Sequence, residues 1–316
     1  MKLIPPKSWI LSLLLLLIAV SVISCSSLGS NWSRITTDVY DFIIVDPDRN
    51  MIWAANVFGK EIVGIPLGYE QLPSEYLKFN LPPDTRVWGM CLSTNQVITL
   101  VNPKSSPYNI LMTFDLERSI WKEIGIEKYP LSSRCKVLVD GSIIIVVGDK
   151  FDLIKNDIVT RITPRIGRIW DVAQDNQGNL WAITLDKFVF VNEGDNQWRN
   201  IATSEIGDLL FDIESDSIWI STGLNLLRVV EENQGIKTQL VYQINGQSHI
   251  IAVYTEADGT IWVVSSSAIA RKRNMSFIEM PLPAGADVIY SSGLDSKNKI
   301  IYIATDRGLY SIESNQ

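Results

Sequence analysis

Beyond its first 25 residues the chain is written in short apolar runs separated by polar, turn-forming clusters. Residues 168–202 show the pattern most clearly, as RIWDVAQ (168–174), LWAIT (180–184), KFVFVN (187–192) and QWRNIA (197–202). Each run has the length and the β-branched and aromatic content of a strand, and Asn, Asp or Gly lies between neighbours. No stretch there carries the apolar period of an amphipathic helix. Four successive strands in about 40 residues predict a small antiparallel meander.

The meander recurs. Taking Trp181 as reference, equivalent positions in chain order are Trp53, Ile98, Ile144, Trp181, Trp219, Trp262 and Tyr302, at spacings of 45, 46, 37, 38, 43 and 40 residues. Each follows a turn-rich stretch such as DPDRN, DNQGN or EADGT, whose residues tolerate positive φ or bond their own backbone. Period and strand content are those of a propeller blade. The expected fold is all-β: a seven-bladed β-propeller of four-stranded blades over residues 32–316, with no internal linker.

Outermost strands fall at 32–36, 76–81, 120–124, 158–163, 197–201, 239–244 and 276–280. The first precedes any complete blade, and the last blade, ending in GLYSI (308–312), has only three strands of its own. The N-terminal strand is therefore expected to close the last blade, removing two open sheet edges. The recurring aromatics are expected to pack between blades, where each buries ~150–250 Å².

The first residues read as a targeting segment. Lys2 and Lys7 precede an uncharged run, WILSLLLLLIAVSVI (9–23), short of the roughly 20 residues that span a bilayer. It ends in VISC (22–25), followed by polar SSLGSN (26–31). VISC resembles the lipobox of bacterial lipoproteins. The resemblance implies a signal peptide over 1–24, a lipidated Cys25, a tether over 25–31, and a propeller held to a membrane of the bacterial cell envelope, facing the periplasm or exterior. Ser26 is compatible with outer-membrane sorting. An ordinary signal peptide or an uncleaved anchor puts the chain on the same side of the membrane.

The unit D-x-x-G-N-L-W-x-x-T followed by Gly-Leu is similar to the two-component regulator propeller repeat of bacterial sensors. DNQGNLWAIT (175–184) matches its first half, and IWISTGLNLLRV (218–229) and IYIATDRGLYSI (301–312) its second, through Thr222, Gly223, Leu224, Thr305, Gly308 and Leu309. Units two and three depart from it at Ile98 and Ile144. The resemblance implies a sensing or binding module, and no kinase or regulator sequence lies within these 316 residues.

Removing residues 1–24 removes two lysines and no acid, so the net charge moves from −7 to −9. That balance argues against nucleic acid as a partner, because phosphate contacts need clustered Lys and Arg. Cys91 and Cys135 stand in apolar runs and read as buried free thiols, although the compartment permits a disulfide. No cofactor motif is present. Asp46, Asp48 and Asn50 imitate the start of a calcium loop, but Met51 and Val57 stand where Gly and Glu are needed. His249 is the only histidine, which excludes a metal site built on several imidazoles. It serves poorly the streptogramin-lyase type of propeller that this repeat class resembles.

The candidate site lies where innermost strands begin. RVWGM (86–90) and RIWDV (168–172) share an Arg-x-Trp start, and Arg and Trp concentrate binding energy at interfaces. Arg86, Trp88, Arg168, Trp170, Asp171, Asp208, His249 and Asp287 are assigned to this ring, with Asp306 and Arg307 on another loop of the same end. Strand-start packing with solvated charges accounts for the same residues. The functional expectation is a monomeric propeller binding a small polar ligand, a glycan or an envelope protein. A structural role in envelope assembly is the alternative, resembling in anchor and propeller form the barrel-assembly lipoprotein of outer membranes. A lyase or glycan-active enzyme is a third reading.

Overall fold

The computed structural model describes residues 32–67, 77–93, 96–103, 106–124, 128–130, 134–138, 140–155, 158–192, 194, 197–201, 209–212, 218–232, 235–245, 248–256, 258–273 and 276–313. The expected signal segment (1–24), Cys25, the expected tether and Asp208 lie outside the described residues. Among those described, regular structure is strand only, and no helix is long and apolar enough to cross a membrane.

Strand β1 (Ser33–Thr36) comes first. Blade 1 follows as β2 (Phe42–Asp46), β3 (Met51–Ala55), β4 (Glu61–Pro66) and β5 (Leu77–Asn80). Blade 2 is β6 (Thr85–Ser93), β7 (Gln96–Pro103), β8 (Tyr108–Asp115) and β9 (Ile120–Glu123), and the short β10 (Tyr129–Pro130) also pairs with β8. Blade 3 is β11 (Arg134–Val137), β12 (Ile143–Val147), β13 (Lys150–Lys155) and β14 (Ile158–Ile162). Blade 4 is β15 (Ile169–Gln174), β16 (Leu180–Thr184), β17 (Val189–Asn192) and β18 (Trp198–Ile201). Blade 5 is β19 (Leu209–Asp212), β20 (Ile218–Thr222), β21 (Asn225–Glu232) and β22 (Gly235–Gln243). Blade 6 is β23 (Ile250–Thr255), β24 (Ile261–Ser265), β25 (Ile269–Arg273) and β26 (Ser276–Met280). Blade 7 is β27 (Ile289–Asp295), β28 (Ile300–Thr305) and β29 (Gly308–Glu313), completed by β1.

The fold is thus the seven-bladed propeller expected, with the N-terminal strand as clasp. Ser33 pairs with Ser311, Arg34 with Tyr310 and Thr36 with Leu309. Trp32 adds a 2.8 Å hydrogen bond from its indole to the Pro281 carbonyl, and the Arg34 guanidinium donates to the carbonyl of Arg307.

Among the described residues seven hydrophobic clusters hold the ring, one at each junction between neighbouring blades. Side chains alternate across a strand, so each blade feeds two junctions. Ile52 and Ala54 of β3 face blade 7, while Trp53 and Ala55 face blade 2. Every recurring position of the sequence pattern lies in the cluster toward the next blade: Trp53, Ile98, Ile144, Trp181, Trp219, Trp262 and Tyr302. All seven are buried, and a buried Trp contributes roughly 4–6 kcal/mol of gross transfer free energy.

The expectation of free thiols is corrected. Cys91 on β6 and Cys135 on β11 form a disulfide, with Cα atoms 6.1 Å apart. Their separation of 44 residues is about one blade, which sets them on the innermost strands of adjacent blades. Apolar surroundings suited buried thiols and a buried disulfide alike; the period chooses the pair.

Candidate functional site

Turns between second and third strands and the starts of the innermost strands share one end of the ring, here called the loop end. Main-chain hydrogen bonds knit it in a repeating way. A strand start donates to the turn of the preceding blade, as Ile169 to Gly148, Ile250 to Gly223 and Ile289 to Ser266. The turn of its own blade then donates to the residue before that start, as Leu185 to Arg168, Ser266 to His249 and Asp306 to Val288. Side chains there are displayed on a fixed frame.

Four innermost strands carry a register irregularity at the same step of this frame. Pairing skips one residue between Val87 and Gly89, Ile169 and Asp171, Ile250 and Ala252, and Ile289 and Ser291. The skipped residues are Trp88, Trp170, Ile251 and Tyr290. A bulge re-aims its side chain and recurs beside functional sites. Trp88 and Tyr290 keep 39 % and 44 % of their surface exposed, and Trp170 is half-buried beneath the Lys187 ammonium, 5.9 Å from the ring centre. Blade 1 pairs there without a bulge.

This register redraws the site read from the sequence. The counterparts of Arg86 are Arg168, His249 and Val288, so Asp287 sits one residue earlier and Asp171 corresponds to Gly89, Ala252 and Ser291. Arg86, Arg168, His249 and Asp287 are all exposed. Asp171 is buried, with the Lys136 ammonium of β11 3.9 Å away, so it joins blade 4 to blade 3. Asp287, Asp306 and Arg307 are brought together: the Asp306 carboxylate accepts the backbone N–H of Asp287 at 3.0 Å and of Val288 at 3.2 Å. Arg307 lies 3.4 Å from the same carboxylate and donates to the Gly285 carbonyl. The Asp287 N–H foremost, with those of Val288 and the guanidinium, holds Asp306 below the usual carboxylate range. This trio orders a loop.

Tyr290, Phe58 and Phe188 escaped the sequence reading. Fourteen large apolar side chains are exposed among the described residues. Eight lie at the loop end: Val39, Phe58, Trp88, Tyr108, Leu185, Phe188, Val288 and Tyr290. The other six stand on outermost strands, and none is at the opposite end. That opposite end carries charged turns instead, where Lys297 reaches Asp48 at 2.7 Å and Lys299 reaches Asp258 at 2.6 Å, linking blade 7 to blades 1 and 6. Aligning RVWGM, RIWDV, HIIAV and VIYSS would have found Tyr290.

A cleft of about 510 Å³ opens beside the ring between blades 1 and 2, lined by Phe58, Lys60, Asn80 to Asp84, Thr85 and Arg86. The Arg86 guanidinium lies over the Phe58 ring at 5.2 Å. No group of three or more His, Cys, Asp or Glu suited to a metal ion occurs among the described residues. The chemistry on display is aromatic stacking, cation–π contact and charge-assisted hydrogen bonding.

No protein-family model and no curated protein matches the chain. Solved structures are similar in fold. YCF48 from Cyanidioschyzon merolae is 17 % identical, with a TM-score of 0.66 over 90 % of this chain and 99 % of that one. Another YCF48 structure, bound to D1 peptide, is 14 % identical, with a TM-score of 0.64 over 90 % of this chain and 94 % of that one. Virginiamycin B lyase from Staphylococcus aureus is 16 % identical, at 0.64 over 89 % and 97 %. The extracellular domain of the two-component-system protein BT4673 from B. thetaiotaomicron is 10 % identical, at 0.67 over 89 % of this chain and 39 % of that one. At such identities the likeness shows the fold that this chain shares with a peptide-bound protein, a lyase and an extracellular domain of a signalling system.

Proposed function

We propose that the protein is a lipid-anchored, extracytoplasmic binding or sensing module whose loop end captures a partner segment or a small polar ligand. Residues 1–24 direct export, Cys25 carries the acyl chains, and residues 26–31 tether the propeller to the membrane. The observation that carries the reading is the contrast between the two ends of the ring, eight large exposed apolar side chains at the loop end and none at the opposite end among the described residues, with Trp88, Trp170 and Tyr290 re-aimed by bulges. Contiguous exposed apolar surface marks interaction sites. The disulfide suits an oxidising compartment, and the D1-peptide complex of YCF48 and the extracellular domain of BT4673 support, by analogy of fold, a propeller that binds outside the cytoplasm.

The test replaces Trp88, Trp170 and Tyr290 together by Ala in the mature protein. Ligand-induced thermal stabilisation by fractionated envelope peptides and glycans is expected to vanish, while the unliganded melting temperature falls only by the packing that half-buried Trp170 gives the cluster between blades 4 and 5. Undiminished stabilisation in the variant would refute the reading.

A structural role in envelope assembly is favoured by a different observation, the six exposed apolar residues on outermost strands: Leu77, Ile120, Ile158, Val159, Leu240 and Ile278. If Ile158→Lys with Ile278→Lys releases a co-purifying envelope protein and the loop-end variant does not, the rim is the working surface. A lyase reading has less to stand on, since His249 is exposed and joins no potential metal-binding group among the described residues.

A further inference from the structure

We propose that the cleft between blades 1 and 2 is a subsite for a peptide segment carrying one carboxylate beside an apolar side chain. The inference rests on the loop end being the binding face and names the ligand chemistry. The cleft, of about 510 Å³, falls within the range of roughly 300–1,000 Å³ typical of ligand sites. Its lining is of mixed chemistry. Leu81, Pro82, Pro83 and Phe58 are apolar, and Phe58 is 75 % exposed. Lys60 and Arg86 supply two cations, and neither has a carboxylate within ion-pair distance among the described residues.

Arg86 is the centre of the argument. A guanidinium lying over an aromatic ring satisfies its face and leaves its N–H fork in plane for a carboxylate, which it binds through two parallel hydrogen bonds. The Phe58 ring orients the fork and, being largely exposed, has apolar surface left for the ligand. Asp84 lines the same cleft and disfavours a second acid nearby. The chain as a whole is acidic, with net charge −7, so a polyacidic ligand is repelled at long range and recognition is local. These features select a single acidic residue flanked by apolar ones. The bulge at Trp88, two residues beyond Arg86 on β6, places the aromatic ring of the loop end next to the cleft in sequence.

The probes are a blocked tetrapeptide with one glutamate among leucine and phenylalanine, and its glutamine isostere. They are titrated into the propeller by NMR. The glutamate peptide is expected to bind at least tenfold more tightly. Arg86→Gln is expected to erase the difference, Lys60→Gln to reduce it, and Phe58→Ala to weaken both peptides. Equal affinities, or no binding of the glutamate peptide up to about 10 mM, a dissociation constant too weak for a formed subsite, would overturn the inference. Ligand stabilisation that still depends on Trp88, Trp170 and Tyr290 would then leave the binding face standing. Loss of both signals would remove the face as well.

Discussion

The indole N–H of Trp181 donates a 2.9 Å hydrogen bond to the carboxylate of Asp175, six residues earlier. Asp175 also accepts from the backbone of Gln177 and Asn179, so one acid both shapes the turn and receives the tryptophan that follows it. Trp53 does the same to Asp46 at 3.3 Å and Trp262 to Glu256 at 2.6 Å. The conspicuous D-x-x-G-N-L-W signature is therefore one structural device, shared by blades 1, 4 and 6. Its aromatic fills a blade junction, and its acid satisfies the buried indole. The indole N–H of Trp219 in blade 5 is instead buried without such a partner among the described residues.

Trp262 offers the cleanest test of that device, because Glu256 is only 2 % exposed. Trp262→Phe keeps most of the apolar contact and removes the donor, at an expected cost of ~1–3 kcal/mol. Trp262→Ala adds a cavity and is expected to cost ~3–5 kcal/mol. Urea midpoints at unchanged slope measure both. A neutral Trp262→Phe would show that the indole–carboxylate bond contributes nothing.

The clasp predicts a second sensitivity at Gly308. Its φ is +126°, and an added Cβ would run into the Thr36 carbonyl where β1 meets β29. Gly308→Ala is expected to cost roughly 3 kcal/mol or more and to expose the β29 edge. Hydrogen exchange of Leu309 and Ser311 amides reads the clasp directly; unchanged protection would contradict the account.

Closing a loop of 44 residues, the Cys91–Cys135 disulfide stabilises by up to about 4 kcal/mol in the chain-entropy view. Mass spectrometry after alkylation of the unreduced mature protein is expected to find neither cysteine modified. Cys91→Ser with Cys135→Ser is expected to lower the urea midpoint without changing the fold. Two alkylated thiols would restore the free-cysteine reading.

Acid and alkali should act through different residues. Burial raises the Glu279 carboxyl, but the Tyr242 hydroxyl at 2.6 Å and two Asn245 N–H donors outweigh it and hold it below its ordinary value. The folded state thus binds that proton less readily than the unfolded chain, so its contribution is present above about pH 4.5 and lost as pH falls. Burial pushes the Tyr254 hydroxyl up to about 12. Its contribution is full below the ordinary value of 10 and is lost as pH rises toward 12. Melting temperatures over about pH 3 to 11 are expected to fall at both ends, with Tyr254→Phe flattening only the alkaline limb, and Glu279→Gln flattening the acid limb and also part of the alkaline one, because Glu279 joins burial in holding the Tyr242 hydroxyl above its ordinary value.

Most of the scaffold was legible because each blade repeats the same demands. Strand alternation, turn chemistry and a buried residue at Trp53, Trp181 and their relatives all follow from stacking one sheet on the next. The clasp was legible because β1 was a surplus outer strand and blade 7 lacked one. The loop end was legible only in outline. Arg86, Trp88, Arg168 and Trp170 announced themselves as a repeated word, whereas Tyr290 emerged only once pairing showed the skipped residue. A bulge adds one residue and leaves no mark on the hydrophobic pattern. The surroundings of Asp171 were hidden for a related reason: nothing local reveals that the Lys136 ammonium, a blade away, lies 3.9 Å from its buried carboxylate.

The most direct test of the central claim is site-specific photo-crosslinking in the native host. A photoreactive residue is placed at Tyr290 on the loop end, at Ile158 on the rim, and at Gln177 on the opposite end. The account expects a discrete crosslinked partner from Tyr290, none from Gln177, and loss of the Tyr290 product when Trp88 and Trp170 are replaced by Ala. Crosslinks from Gln177 or Ile158 with none from Tyr290 would contradict it.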